Sequence, residues 1–470
     1  MNIAKLPNVL PPLPSINRIQ SDLHIAGQIP TLHFSGDQAE IDHMQANIIG
    51  QDKVLTNMTY ITLHATFRWL NIADRPNDVR RMDGVVIHIG GRSSRRSTKL
   101  SYNIKIEDKQ GLFGYRRLKL RSLFSDVSYM REQIVYDLLQ SSGVATTGFS
   151  YVRVFFNNRP LGLYGLIENY KNPWLKNEFA GGKKFDQGIL YQGIYFSDKT
   201  GIGADLGYRG DNLTAYVDRT YKIKEPPKEG PSDFRKLMEF TRFLNTTVAE
   251  EPDAVEAWKG YVDIDSVIRN MVLEVLLGFA DGYIVSMRNF YLYYNTDAKQ
   301  LIYLPSDVDA CIGTTIVKLA DMWSGDYQRY PGFSLNRPLL KFIKVSSFKA
   351  QFEHLLVKLS KELISPDIVN PYIDDLANMI KEDVAWDMAI QILNIESRQD
   401  NQPEETETET RLHVPPPPVD PATYYSMKHR EYVSFEVAVN GSNIALSVAG
   451  VKEWFRHQGP ATLAHFNIAQ

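Results

Sequence analysis

Leu118-Lys119-Leu120-Arg121-Ser122-Leu123-Phe124-Ser125-Asp126-Val127-Ser128-Tyr129-Met130-Arg131-Glu132 is the stretch whose reading decides the fold. Lys119 stands between Leu118 and Leu120, the alternation of a strand with one wet face. Just beyond, Met130, Ile134 and Leu138 recur at i, i+4 and i+8, with Val135 and Leu139 beside them. That spacing predicts a helix from about Asp126 to Ser142, with Asp126 as N-cap and Gly143 as the residue past its end. A strand that leads straight into one helix, inside a region otherwise made of strands, is the organising unit of the first half.

Working outward, short apolar runs at Tyr60–Phe67, Val85–Ile89, Tyr102–Ile106, Tyr151–Phe156 and Gly162–Ile167 read as further strands. After about residue 230 the period changes to helical, at Phe234–Leu244 and Ile264–Phe279. The second is apolar nearly all round, so it is expected to be buried. Phe290–Tyr294 and Leu301–Leu304 read as a hairpin, and helices resume over about 338–364 and 371–395. The expected fold class is α+β. Residues 1–45 are expected as an extended lead-in and 46–175 as a β-rich part. Residues 176–395 would be mostly helical and carry the hairpin. An acidic, proline-rich linker (396–420) would precede a C-terminal appendage (421–470) with two short strand-like runs.

Composition narrows the classes. The chain has 470 residues, 43% of them hydrophobic and 23% charged, which is ordinary for a globular protein. A single cysteine, Cys311, excludes a disulfide framework within the chain and a cysteine zinc cluster. A net charge of −3 gives no sign of a nucleic-acid partner. Met1 to Arg18 lacks the apolar core of a signal peptide. Met271–Ala280, the most apolar stretch, carries Glu274 and is too short to span a bilayer, so no transmembrane segment is expected.

Charge is unevenly placed. Residues 80–121 hold 12 Lys and Arg against three acids. Such a patch suits a polyphosphate or an acidic partner, or is a solvated basic face. Within it Gly90-Gly91-Arg92-Ser93-Ser94 can turn tightly and offer backbone N–H groups to an anion. Lys105 and Lys119 each lie on a strand between apolar neighbours, where a kinase-like fold keeps its phosphate-contacting lysine. The acidic counterpart lies downstream. The buried helix ends near Asp281, Asn289 stands eight residues on, and the hairpin returns to Asp307-Val308-Asp309. Phosphoryl transfer needs one carboxylate to accept a proton, and an Asn with further carboxylates to hold divalent cations. In ordinary protein kinases that Asp and Asn are five residues apart and Asp-Phe-Gly follows. The plain alternative makes these carboxylates helix and turn caps. A glycosidase pair would leave the basic strands unexplained.

Several blocks together resemble the spore-coat CotH kinase family, especially its versions in mucoralean fungi. Lys99-Leu-Ser-Tyr-Asn-Ile-Lys105-Ile and the preceding Gly91-Arg-Ser-Ser94 turn resemble its "KKSYKIKF" strand and "RG-x-S" turn. The opening stretch resembles "LKLR…DPSYMRE". Tyr151–Asn157 with Gly162–Glu168 is similar to "VRLYIN…GLYLLIE", and Tyr208–Asn212 and Tyr221–Lys224 also fit. Asp281, Arg288-Asn289-Phe-Tyr-Leu-Tyr293 and Pro305-Ser-Asp307-Val-Asp309 resemble "D…HNYYLY…PWDLD", with Arg288 where many members have His and Ser306 where Trp is usual.

The resemblance implies a two-lobed, atypical protein-kinase-like fold. It implies ATP-dependent transfer, with Mg²⁺ or Mn²⁺, to Ser or Thr of coat or cell-surface proteins. Asp281 would be the catalytic carboxylate, and Asn289, Asp307 and Asp309 would hold metal. Lys105 would be the leading phosphate contact and Lys119 the reserve, with Gly91, Arg92 and Ser93 near the nucleotide. Glu132 would pair Lys119, and Glu168 is a second candidate partner beside the adenine. Fungal relatives are also associated with adhesion to host cells. The alternative is therefore a spore-surface, invasin-type binding protein with a host-cell receptor as partner.

Overall fold

Alternating burial builds the first half of the chain. The computed structural model describes residues 2–46, 59–69, 79–91, 95, 97–194, 203–217, 220–399, 418–428, 433–442 and 444–468. Seven strands come first: β1 (Thr31–Ser35), β2 (Ile61–Arg68), β3 (Val79–Ile89), β4 (Tyr102–Ile106), β5 (Arg117–Arg121), β6 (Phe149–Phe156) and β7 (Arg159–Glu168). They close into a barrel in the order β1-β2-β3-β4-β5-β7-β6. On β4, Tyr102, Ile104 and Ile106 are buried while Asn103 and Lys105 face outward, as the period-two reading requires. The buried set joins Val85, Ile87, Leu118, Leu120, Val152 and Val154 in one core.

Two expectations for this half are corrected. The lead-in is not extended throughout. It carries β1, which puts Leu32 and Phe34 inside and closes the barrel by running parallel to β6, and then a helix, Gln38–Ala46. The long helix starts at Arg131, not near Asp126. Asp126 lies ahead of the N-cap position, yet its carboxylate still takes the first helical N–H, that of Arg131, at 2.8 Å, together with the Ser128 N–H at 2.9 Å and the Arg131 guanidinium. Arg131 is fully buried and donates onward to the carbonyls of Ile312 and Ala449, so one side chain joins three segments. Gly143 ends the helix at φ +66, as its position predicts.

A second sheet is formed by β8 (Leu190–Gly193), β9 (Tyr221–Glu225), β10 (Phe290–Asn295) and β11 (Gln300–Pro305), in the order β11-β10-β8-β9. Tyr291, Tyr293, Ile302 and Leu304 belong to the barrel core. Phe290, Leu292, Leu301 and Tyr303 belong to a helical core. The hairpin is therefore buried on both faces.

The helix Ile264–Leu277 runs through the helical core, buried almost all round as expected. Its buried acid, Glu274, is 2% exposed, and its charge is answered locally. It accepts the N–H of Tyr283 at 3.1 Å, that of Ile284 at 2.9 Å and the Tyr303 hydroxyl at 3.0 Å. Burial pushes its carboxyl up to about 7.

The last 50 residues are corrected as well. They form helices, among them Phe435–Asn440 and Val451–His465, and the latter is part of the core, not an appendage. Trp454 is fully buried and its indole N–H donates to the Leu276 carbonyl at 3.0 Å. Its ring occupies the space that Gly278 leaves open: a Cβ there would lie 2.4 Å from it, and φ is +65. Residues 400–417, the greater part of the expected linker, lie outside the described residues. The mixed α+β class is found as expected. Trp454→Ala should destabilise the protein by about 3–5 kcal/mol, read from the midpoint of urea unfolding. A change of a few tenths would mean that the C-terminal helix is dispensable to the core.

Candidate functional site

The hairpin does what its sequence suggested. Phe290 pairs with Pro305, and the ladder runs one step further, the Asn289 carbonyl accepting the Ser306 N–H at 3.0 Å. Asn289 and Asp307 thus leave the same end of the hairpin. Met287, Asn289 and Asp307 all have left-handed backbone, at φ +53, +59 and +53. Such strain persists where surrounding packing imposes it, and it clusters at functional sites. Asp281 lies across this end. Its Oδ2 accepts the Asn289 side-chain amide at 2.9 Å, and the Arg288 guanidinium holds its Oδ1. Burial pushes its carboxyl up to about 6, Arg288 working against this and the negative charges of Asp309 and Asp307 adding to it.

Opposite stands the end of β5. Lys119 and Arg121 share its outward face. The Lys119 ammonium is 3.7 Å from Asp307. Arg121 reaches Glu132 through Nε at 2.9 Å, holds Asp307 through Nη1 and lies 3.4 Å from Asp309 through Nη2. Ser125 donates to Asp309 at 3.0 Å. Loss of water would raise the Asp307 carboxyl, but Arg121 and Lys119 hold it well below the usual range. Burial pushes Glu132 up to about 7, with Arg121 opposing. Lys119 is lowered by burial and then by Arg121. A further cation was not singled out in the sequence. Lys224 on β9 donates to the Tyr291 hydroxyl at 3.0 Å, and burial lowers it to about 8. Its only sequence signal was the alternating Tyr221-Lys-Ile-Lys run.

The remaining candidates are placed as follows. Glu132 pairs Arg121 instead of Lys119, because both cations share one strand face and Arg121 lies at its helix-facing end. Lys105 lies two pairs along from the site, opposite Arg117 and bound to Glu107. Glu168 is beside Leu118 in register, on the face away from Lys119. It is held by Arg18, the Thr147 hydroxyl and the Gly148 N–H, and is 1% exposed. Gly91 follows β3 in the row Ile89–Tyr102–Leu120, with φ +78. Arg92 and Ser93 lie outside the described residues. In the Tyr208–Asn212 block, Arg209 donates to the Gly203 carbonyl, and Asp211 binds Arg242 and Tyr208 at the surface. A cavity of about 180 Å³ lies elsewhere, lined by Lys99, Tyr102, Arg159, Tyr164 and Gln391.

The donor set suits a hard divalent cation. Among the described residues no group of three or more His, Cys, Asp or Glu converges on one point. Mg²⁺, however, commonly takes one or two carboxylates, with phosphate oxygens and water completing the shell. Asp307 and Asp309 already share one cationic group, the Arg121 guanidinium. Asn289 commits its amide nitrogen to Asp281, which leaves only its oxygen for a metal. Among the described residues no helix is long and apolar enough to cross a membrane.

A family model described as CotH kinase protein matches residues 87–408. Invasin CotH3 of Rhizopus delemar is 24% identical over 380 residues, 79% of this chain and 59% of that protein. Spore coat protein homolog 1 of the same fungus is 23% identical over 77% of this chain and 55% of its own length. Inner spore coat protein H of Bacillus subtilis is 23% identical over 66% of this chain and 79% of its own. This chain thus spans somewhat more than half of the fungal proteins.

Arg18 is the cation between Glu168 and Glu178, 3.0 Å from the latter. Burial pushes Glu178 up to about 7 from an ordinary 4.5, with Arg18 opposing. A carboxyl raised in the fold costs nothing below its unfolded value and destabilises as pH climbs through the raised one. Arg18→Ala leaves both acids without their counter-charge. It should cost about 3 kcal/mol near pH 8 and distinctly less near pH 5, by urea unfolding at both pH values. An equal loss at both would show that Arg18 acts by packing alone.

Proposed function

From the premise that this chain belongs to the CotH kinase family, we propose that it is an atypical, two-lobed protein kinase. It transfers the γ-phosphoryl group of ATP to Ser or Thr of spore-coat or cell-surface proteins. The barrel is one lobe and the helical core the other. The observation that carries this reading is the meeting of Asp281, Asn289, Asp307 and Asp309 with Lys119 and Arg121 at one end of the hairpin.

Each group has a task. The substrate hydroxyl oxygen attacks the γ-phosphorus, the bond to the bridging oxygen breaks, and ADP leaves. Asp281 accepts the hydroxyl proton, and a value near 6 leaves it ionised at neutral pH while keeping it basic enough to do so. Asn289 and Arg288 fix its orientation. Asp307 and Asp309, with the Asn289 amide oxygen, would hold Mg²⁺ or Mn²⁺. When bound, that ion neutralises phosphate charge. Lys119 and Lys224 supply positive charge beside the phosphates. The invasin names of three relatives favour a second reading, adhesion to a host-cell receptor.

ATP with Mg²⁺ or Mn²⁺ should raise the melting temperature, and Asp307→Ala should abolish the shift while the unliganded variant still melts cooperatively. No shift with either metal at millimolar ATP would favour adhesion. Asp281→Asn should keep the shift and lose transfer by about 10²–10⁴-fold. The acid limb of the rate should lie near pH 6. Arg288 stabilises the ionised carboxylate, so Arg288→Ala should move that limb upward. A limb unchanged in that variant would remove Asp281 as the base.

A further inference from the structure

The mechanism above gives Arg121 no chemical role, yet it is the most heavily engaged cation of the site. Its side chain is 10% exposed. Nε lies 2.8 and 2.9 Å from the two oxygens of Glu132, Nη1 is on Asp307, and Nη2 is 3.4 Å from Asp309. Glu132 belongs to the helix Arg131–Ser141, while Asp307 and Asp309 follow β11. The guanidinium therefore bridges two elements through different nitrogens. The two carboxylates on its Nη side are those assigned to the divalent cation. A dication and a guanidinium cannot share these oxygens without strong repulsion.

We propose that Arg121 is an exchangeable occupant of the metal site that becomes the clamp on the nucleotide phosphates once a divalent cation takes Asp307 and Asp309. The inference rests on the reading of those two residues as cation ligands. The Nε–Glu132 contact persists through the exchange, because Glu132 is not among the ligands. Pivoting about that contact frees both Nη groups, a planar fork that matches two phosphate oxygens. Lys119 offers a point charge and no fork, and it does not contact Glu132. The bare metal competes with Arg121, whereas the metal–nucleotide complex gives Arg121 a new partner. Metal and nucleotide thereby assist each other's binding through this one side chain.

The test separates these effects by sign. Binding of Mn²⁺ alone is followed by the paramagnetic resonance of the free ion, and binding of Mn²⁺ with a non-hydrolysable ATP analogue by calorimetry. Arg121→Met should tighten Mn²⁺ alone by about fivefold or more. The same variant should weaken the Mn²⁺–analogue complex by about tenfold or more, the loss expected of a bidentate charged contact. A residue that merely supports the site would weaken both. Both weakened, or neither changed, overturns the proposal while leaving the phosphotransfer reading intact. A wild-type protein that binds neither ligand overturns both. Should Arg121→Met fail to fold with Glu132 left unpaired, Arg121→Met/Glu132→Leu removes both charges and is expected to give the same opposed pair of effects.

Discussion

The β10–β11 hairpin has no wet face, and the site depends on that constraint. One side meets the barrel core and the other the helical core, so each residue from Phe290 to Tyr293 and from Leu301 to Leu304 is buried. A strand held on both faces cannot slip by one residue, since either side would then face the wrong core. Its tyrosines answer their hydroxyls inside: Tyr303 donates to Glu274, and Tyr291 accepts from Lys224. Glu274 in turn fixes the turn beyond Asp281 through two backbone N–H groups. Asp281, Asn289 and Asp307 thus stand on a frame braced from two directions, and it sustains the left-handed backbones of Asn289 and Asp307.

Elements with one consistent burial pattern, alternating or continuous, were legible in the sequence. The alternation of Tyr102–Ile106 matches β4 residue for residue, and the apolar run from Ile264 marks the buried helix. Continuous apolar runs marked the hairpin, as expected of strands covered on both sides. Short or mixed elements were not legible. Strand β1 has five residues and follows a proline-containing segment. The helix Val451–His465 contains Gly459 and Pro460, which argue against a helix locally, and burial against Leu276 and Gly278 overrides them. At the site, the spacing of Asp281, Asn289 and Asp307 sufficed because one hairpin joins them. The choice between Lys119 and Arg121 for Glu132 was beyond reach, since two cations at i and i+2 look alike until the facing helix is in place. Glu168 has its counter-charge at Arg18, 150 residues away, and no local pattern signals such a partner.

The basic segment also changes meaning in three dimensions. Lys99 is buried against Asp387 at 2.6 Å and lies 4.4 Å over the Tyr164 ring. Arg121 serves three carboxylates, and Lys105 binds Glu107. Lys99 and Arg121 are therefore matched by acids brought in from outside the segment, and Lys105 by Glu107 within it. Beside Asp307, Lys119 of this segment is joined by Lys224 from β9 at the open end of the hairpin.

The seating of the Val451–His465 helix against Leu276 and Gly278 has a consequence for the order in which the molecule can be made. The barrel needs every strand from Thr31 to Glu168, so it can close once a little over the first third of the chain is available. The helical core cannot: its central helix must wait through nearly 180 residues of synthesis for Trp454 to cover it. During that interval a long apolar helix lacks its final cover, the circumstance in which chaperone capture and aggregation compete with folding. The two halves of the protein thus mature on separate schedules, and the later one governs when Asp281 and Asp307 come to rest.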